Sequence, residues 1–198
     1  MSALAQLYED IVACRDCDLA KGRTKAVPGE GAEDADLFFI GEAPGWHEDQ
    51  QGRPFVGPAG QFLEQLLASV GLRREEVYIA NVIKCRPPQN REPLPAEIQT
   101  CRKWLDRQID LIQPRMIVTL GRHSLSLYFP AESIGKIHGK PRHVDGVIYY
   151  PMYHPAAALH QGSLRRTIEM DMLRIPQILA QCKDSPQNVL EDRQLSLF

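Results

Sequence analysis

The stretch Asp36-Leu37-Phe38-Phe39-Ile40-Gly41-Glu42-Ala43-Pro44-Gly45 decides the fold. Its apolar run shows no alternation with polar residues, so it reads as a strand covered on both faces. Gly41, Pro44 and Gly45 then stop it. A strand covered on both faces needs helices above and below, and the flanking sequence supplies them. Downstream, Phe62, Leu63, Leu66, Leu67 and Val70 recur at helical spacing over residues 59–70, and Gly71 ends that helix. A second strand is expected over 77–83, a helix over 96–112, a third strand over 115–120 with Gly121 opening a short helix, a fourth strand over 147–153 and a long helix over 163–181. Upstream, Leu4, Leu7, Tyr8 and Ile11 mark a helix over 3–12. Strands alternating with helices indicate an α/β fold: a four-stranded parallel sheet flanked by helices in three layers.

The 198 residues, 43% of them hydrophobic, suit one domain, expected over residues 1–183, followed by a flexible tail over 184–198. The chain holds no run of 18 apolar residues and no basic segment leading into an apolar core at its start, so a cytoplasmic protein is expected. Net charge is −2, which by itself argues against a nucleic-acid partner. Residues 81–145, however, carry 11 Lys/Arg against 6 Asp/Glu, a basic middle in an acidic chain. That pattern fits one positive face. Of five cysteines, Cys14 and Cys17 form a C-x2-C pair, while Cys85 and Cys101 follow far downstream. In a reducing compartment this points to a metal, zinc or iron–sulfur, with Cys182 left as a small core side chain.

In parallel sheets, function gathers beyond the carboxyl ends of the strands. Three unusual polar segments fall there, 41–57, 84–95 and 154–162, and they predict one shared site. Phe55 stands among glycines and prolines, where stacking on a planar base is worth about 1–3 kcal/mol. Asn81, at the exit of the second strand, offers a donor and an acceptor suited to a pyrimidine edge. His154, fixed by Pro155, is placed to donate to a carbonyl oxygen that gains charge in a transition state. Each has an ordinary alternative: a Phe packed beneath its loop, an Asn ending a strand, a structural His. Glu42 and Glu48 likewise read as solvated loop charges when taken alone.

Taken in order, the segments Gly41–Gly45, Gly52-Arg53-Pro54-Phe55-Val56-Gly57, Asn81-Val82-Ile83-Lys84-Cys85-Arg86-Pro87-Pro88 and Tyr153-His154-Pro155-Ala156 resemble the signatures of the family 4 uracil-DNA glycosylases, the iron–sulfur type of bacteria and archaea. The likeness runs from about Cys14 to about residue 180. It implies removal of uracil from DNA by hydrolysis of the N-glycosidic bond of a flipped-out deoxyuridine, the first step of base excision repair. It also implies a structural [4Fe–4S] cluster on Cys14, Cys17, Cys85 and Cys101.

By the same resemblance, Phe55 stacks on uracil, Asn81 bonds its O4/N3 edge, Glu48 bars the thymine methyl and His154 donates to O2. Ala43 occupies the substrate-side position where better-known relatives carry a carboxylate or Asn. Glu42 is therefore the candidate for positioning water, with Asn90 a second polar candidate. Arg86, Arg91, Lys136, Lys140, Arg142, Arg165 and Arg166 are candidate phosphate contacts, and Leu159 the wedge that fills the gap left by the base. The tail residues Gln194, Leu195, Leu197 and Phe198 resemble the short motif that docks bacterial proteins on the replication sliding clamp. A monomer is expected.

Two rival readings stand beside this one. In the first, His138, which with Ile137 resembles the end of an Arg-rich loop in a sister group, bonds covalently to the sugar and traps the DNA. The Arg-rich insert itself is missing here. In the second, the chain is a non-catalytic metal-containing nucleic-acid-binding module, which leaves Phe55, Asn81 and His154 unexplained.

Overall fold

The computed structural model describes residues 2–181. Among them the sheet has six strands: β1 (Glu30–Gly31), β2 (Leu37–Gly41), β3 (Tyr78–Asn81), β4 (Met116–Leu120), β5 (Arg142–Val144) and β6 (Val147–Met152), in the order β1-β3-β2-β4-β6-β5. The inner four are parallel, and they are the four strands read from the sequence. The two short edge strands run antiparallel and correct the four-stranded expectation. They escape a hydrophobic pattern because edges are partly wet: β1 spans two half-buried residues, and β5 is mostly exposed. β5 and β6 form a hairpin through Asp145 and Gly146, both at positive φ (48° and 80°), as the Asp-Gly pair favours.

Helices α1 (Ala3–Ala13), α2 (Leu19–Gly22) and α3 (Trp46–Gln51) precede α4 (Pro58–Ser69), α5 (Pro95–Ile112), α6 (Arg122–Ser126), α7 (Ile134–Ile137), α8 (Pro155–His160) and α9 (Gly162–Gln181). Two expected loops are thus partly helical. Residues 46–51 form α3 within segment 41–57, and 155–160 form α8 within segment 154–162. β3 is also shorter than expected. Val82 and Ile83 lie beyond its regular part, stay buried, and donate to Gly41 O (2.9 Å) and Glu42 O (3.3 Å).

Two cores sandwich the sheet. Successive strand residues point to opposite faces. Leu37 and Phe39 meet Leu63, Leu66 and Leu67 of α4 and Ile168, Met172 and Ile175 of α9. Phe38 and Ile40 meet Leu4, Leu7 and Ile11 of α1 and Leu105 and Ile112 of α5. Burying each such side chain contributes about 1.5–3 kcal/mol. Connections leave β2 first to β3 on one side and later to β4 on the other, so a crevice opens at the carboxyl ends where the order reverses. No helix among the described residues is long and apolar enough to cross a membrane.

Candidate active site

A cavity of about 420 Å³ lies in that crevice, walled by Glu42, Ala43, Glu48, Phe55, Asn81, Asn90, Arg91 and His154. Every residue expected to act on the substrate is therefore in one place. The sequence reading missed His160, on α8, which also lines it.

Phe55 and His154 stack with ring centroids 5.5 Å apart and planes 28° from parallel. Phe55 holds φ at +51°, uncommon for a bulky residue. Two glycines make room for it. A methyl group on Gly60 would lie 1.8 Å from Phe55 O, and one on Gly41 would lie 2.3 Å from Asn81 Oδ1 and 2.6 Å from the Phe55 ring. Gly41 is thus the gap through which ring and amide face each other.

Asn81 is 2% exposed. Its backbone oxygen accepts from the buried Lys84 Nζ at 2.9 Å, and Lys84 also donates to Gln108 Oε1 at 2.6 Å. The strand end is therefore anchored from behind. Among the described residues, no hydrogen bond occupies the Asn81 side-chain amide. An amide held in a cavity wall without a protein partner is free to bond a ligand.

His154 caps α8. Its Nδ1 accepts from Ala156 N at 3.1 Å, which leaves the ring proton on Nε2. The residue is half-buried and lines the cavity, and desolvation pulls its pKa down to about 4, with the Glu48 charge opposing in part. At neutral pH it is an uncharged Nε2–H donor.

Glu48 proves to be the organiser of its loop as well as a wall of the cavity. Oε1 accepts from Val56 N and Gly57 N, both at 2.9 Å, and Oε2 accepts from Gly45 N at 3.1 Å. These bonds correct the view of it as a solvated loop charge. A carboxylate is acceptor-only, which suits three N–H groups. Glu48→Gln would set an NH2 against one of them, at about 1–3 kcal/mol for an unsatisfied buried donor. A drop in melting temperature of roughly 2–4 °C per kcal/mol is expected in a thermal scan. An unchanged melting temperature would remove Glu48 from this structural role.

Glu42 lines the cavity, and burial pushes its carboxyl above its ordinary range. His123 opposes that rise and Glu92 adds to it. His123 Nε2 stands 3.7 Å from Glu42 Oε2 and 3.5 Å from Glu92 Oε2, and Arg122 pairs with Glu92. Arg122 and His123 come from the segment after β4, a fourth contributor that the sequence reading did not include. Its only signal was Gly121 at the carboxyl end of a strand.

Asn90 sits in the turn Pro88–Asn90 at φ 55° and accepts from Arg86 Nε at 2.7 Å. Arg91 reaches the cavity but also holds Glu97 with bonds of 2.9 and 2.6 Å. The remaining candidate DNA contacts do not line the cavity. Arg165 lies over the Phe62 ring (4.5 Å) and bonds Glu169 at 2.9 Å, and Arg142 stands 3.8 Å from Glu132. Lys136, Lys140, Leu159 and Arg166 are exposed. His138 is away from the cavity too: its Nδ1 is 2.7 Å from Asp171 Oδ2, and its ring packs on Tyr153.

Cys14, Cys17, Cys85 and Cys101 wall one small cavity of about 20 Å³ together with Arg23, Lys84 and Trp104. Arg23 Nη1 donates to Cys85 Sγ at 3.0 Å. Burial pushes the Cys101 thiol up to about 11 and raises Cys85 in the same direction. Among the described residues, no three His, Cys, Asp or Glu side chains are grouped to grip a single metal ion. Cys182, the boundary expected at 183/184 and the tail motif at 194–198 lie outside the described residues.

Residues 28–172 match the model of the uracil DNA glycosylase superfamily. A type-4 uracil-DNA glycosylase of Sulfurisphaera tokodaii is 46% identical, covering 90% of this chain and 86% of that one. One from Archaeoglobus fulgidus is 44% identical, covering 90% and 94%. A type-5 uracil-DNA glycosylase of Pyrobaculum aerophilum is 31% identical, covering 73% and 71%. The converging strand ends, the cavity-facing amide, the neutral imidazole and these likenesses agree: the chain belongs to the uracil-DNA glycosylase superfamily and, within it, to the type-4 family.

Proposed function

We propose that this protein is a hydrolase that removes uracil from DNA in base excision repair. The observation that carries the reading is a single cavity bordered by an aromatic plane, a buried amide without a partner among the described residues and a neutral Nε2–H donor. Uracil flipped from the helix would lie against Phe55, with Asn81 giving its N–H to O4 and accepting from N3–H. As the N-glycosidic bond breaks, its electron pair passes to uracil N1 and spreads to O2. His154 Nε2–H stabilises that charge, and the sugar becomes electrophilic. Water then attacks the sugar carbon, and the proton it loses neutralises the uracil anion. Ala43 offers no polar group, so the carboxyl of Glu42, held close to His123, is the group assigned to orient the water.

Rejection of thymine needs a wall, because one methyl changes attraction by only ~1–3 kcal/mol. Glu48 suits that task because three backbone amides prevent it from swinging aside. Exposed Lys136, Lys140, Arg165 and Arg166, half-buried Arg142 and Arg86, and Arg91 at the cavity wall are assigned to phosphates, and exposed Leu159 to the wedge.

Four cysteines around one cavity, with the Arg23 guanidinium donating to a sulfur, offer a soft sulfur donor set that suits an iron–sulfur cluster, whose iron would displace the thiol protons. We assign a [4Fe–4S] cluster to Cys14, Cys17, Cys85 and Cys101. When bound, it supplies a structural cross-link between the N-terminal segment, the segment after β3 and α5, and no catalytic step. Trapping of DNA through His138 is disfavoured, since Asp171 holds that ring outside the cavity. We further assign residues 1–183 to the catalytic domain, acting as a monomer, and Gln194, Leu195, Leu197 and Phe198 to a sliding clamp. Deleting 194–198 should abolish clamp binding and leave excision on short oligonucleotides intact.

The deciding assay incubates the purified protein with a labelled oligonucleotide containing one uracil, then cleaves abasic sites with alkali. Strand scission with repeated turnover is expected, from a brown protein that absorbs visible light. Intact strands would overturn the activity, and a colourless, iron-free but active protein would overturn the cluster alone.

A further inference from the structure

Arg74 opens the turn Arg74–Glu76 that leads into β3, and its side chain is only 7% exposed. A guanidinium so deeply buried needs every donor met. Nη1 donates to Phe55 O at 2.9 Å, Nη2 donates to Pro54 O, and Nε donates to Glu30 Oε1 at 3.1 Å. Glu64 of α4 lies 3.5 Å from Nη1. Glu30, on β1, is gripped in turn by both Nε and Nη2 of Arg53 at 2.7 Å.

These contacts complete a pattern begun by Glu48. The carbonyls of Pro54 and Phe55 face a cation, Arg74, and the amides of the next two residues, Val56 and Gly57, face an anion, Glu48. Between them stands Phe55, with its backbone in the left-handed region and its carbonyl pressed against Gly60. Such a conformation is strained for a bulky residue and persists only where its surroundings impose it. Arg74 is the group that imposes it from the carbonyl side. It also joins the Phe55 loop to the segment feeding the strand that ends in Asn81.

We propose that Arg74 is a positioning residue: by holding the Pro54 and Phe55 carbonyls it sets the Phe55 ring in the plane that receives the base. The proposal rests on Phe55 being the stacking residue.

The test is Arg74→Met, of similar length but without donors, beside Arg74→Lys and Phe55→Ala. Three quantities are read: KM and kcat on a uracil oligonucleotide, inhibition by free uracil, and affinity for DNA containing an abasic site. Stacking acts on substrate and transition state alike, so its loss raises KM and leaves kcat nearly unchanged. In Arg74→Met, KM and the inhibition constant of uracil should each rise about tenfold, the equivalent of 1.4 kcal/mol. Abasic DNA, which offers no base to Phe55, should bind as tightly as to the unmodified protein. Arg74→Lys should fall between. Unchanged uracil inhibition in a folded Arg74→Met protein would overturn the proposal. So would an equal loss of abasic-DNA affinity, which marks general loosening. If Phe55→Ala leaves uracil inhibition unaltered, the stacking role of Phe55 fails instead. Should Arg74→Met not fold, Glu30→Gln, which removes the charge that holds Arg74, should weaken uracil inhibition in the same direction by a smaller factor. No weakening there would overturn the proposal as well.

Discussion

Replacing His154 with alanine should lower kcat by about 10²–10³, the effect of deleting one oriented donor to a developing oxyanion, about 2.7–4 kcal/mol. The loss should appear in kcat because charge on O2 grows only as the glycosidic bond breaks. The structure also fixes the pH behaviour. With a pKa near 4, the imidazole stays uncharged from neutrality down to about pH 5, so this group should impose no fall in rate there. Below that, protonation puts a hydrogen on Nδ1, where it meets the Ala156 N–H, and the α8 cap must break. The rate should fall with a midpoint near 4. Stability follows the same group. An unfolded His takes up its proton near 6.5, the folded one only near 4. Stability should therefore decline as pH falls through that window and be complete above it. His154→Ala should lack this component of acid sensitivity. A kcat within a few-fold of the unmodified enzyme, or a rate that follows a titration near pH 6.5, would contradict the assignment.

Asn81 is expected to give the second large effect. Asn81→Leu keeps the volume and removes the amide. Loss of two hydrogen bonds to uracil, with its O4 and N3 left unsatisfied in the cavity, should cost roughly 4 kcal/mol, about 10³ in kcat/KM. The fold should hardly respond, because the amide has no protein partner among the described residues. Thermal melting should be unchanged while excision collapses, a combination that a structural Asn could not produce. Asn81→Asp makes the complementary case. Its carboxylate only accepts, so it repels uracil O4 and matches the exocyclic amine of cytosine. Uracil excision should fall as far as in Asn81→Leu, and cytosine should become the better substrate of the variant. Equal uracil excision by all three proteins would show that the amide does not read the base.

The parts legible in the sequence were those encoded locally. The strands at 37–41, 78–81, 116–120 and 147–152 were visible because burial on both faces leaves uninterrupted apolar runs. The edge strands were not, since two or three half-wet residues carry no such run. α8 was hidden for another reason. Pro155 and His154 were read as loop residues, yet a Pro suits the first turn of a helix and a His ring nitrogen can cap it.

By itself, the sequence determined an α/β sheet, the loops that carry function and the residue types fit for a pyrimidine, because periodicity, turn residues and ordered motifs are local properties. Only the tertiary structure decided how those residues act. It placed the proton of His154 on Nε2, made Glu48 the anion beneath the loop amides, brought His123 and Glu92 to Glu42, and set Arg74 against the Phe55 carbonyl. Each outcome depends on the direction of a hydrogen bond or on contact between residues distant in the chain. Such directions and contacts exist only after the sheet has stacked its strand ends together, so no local pattern could carry them.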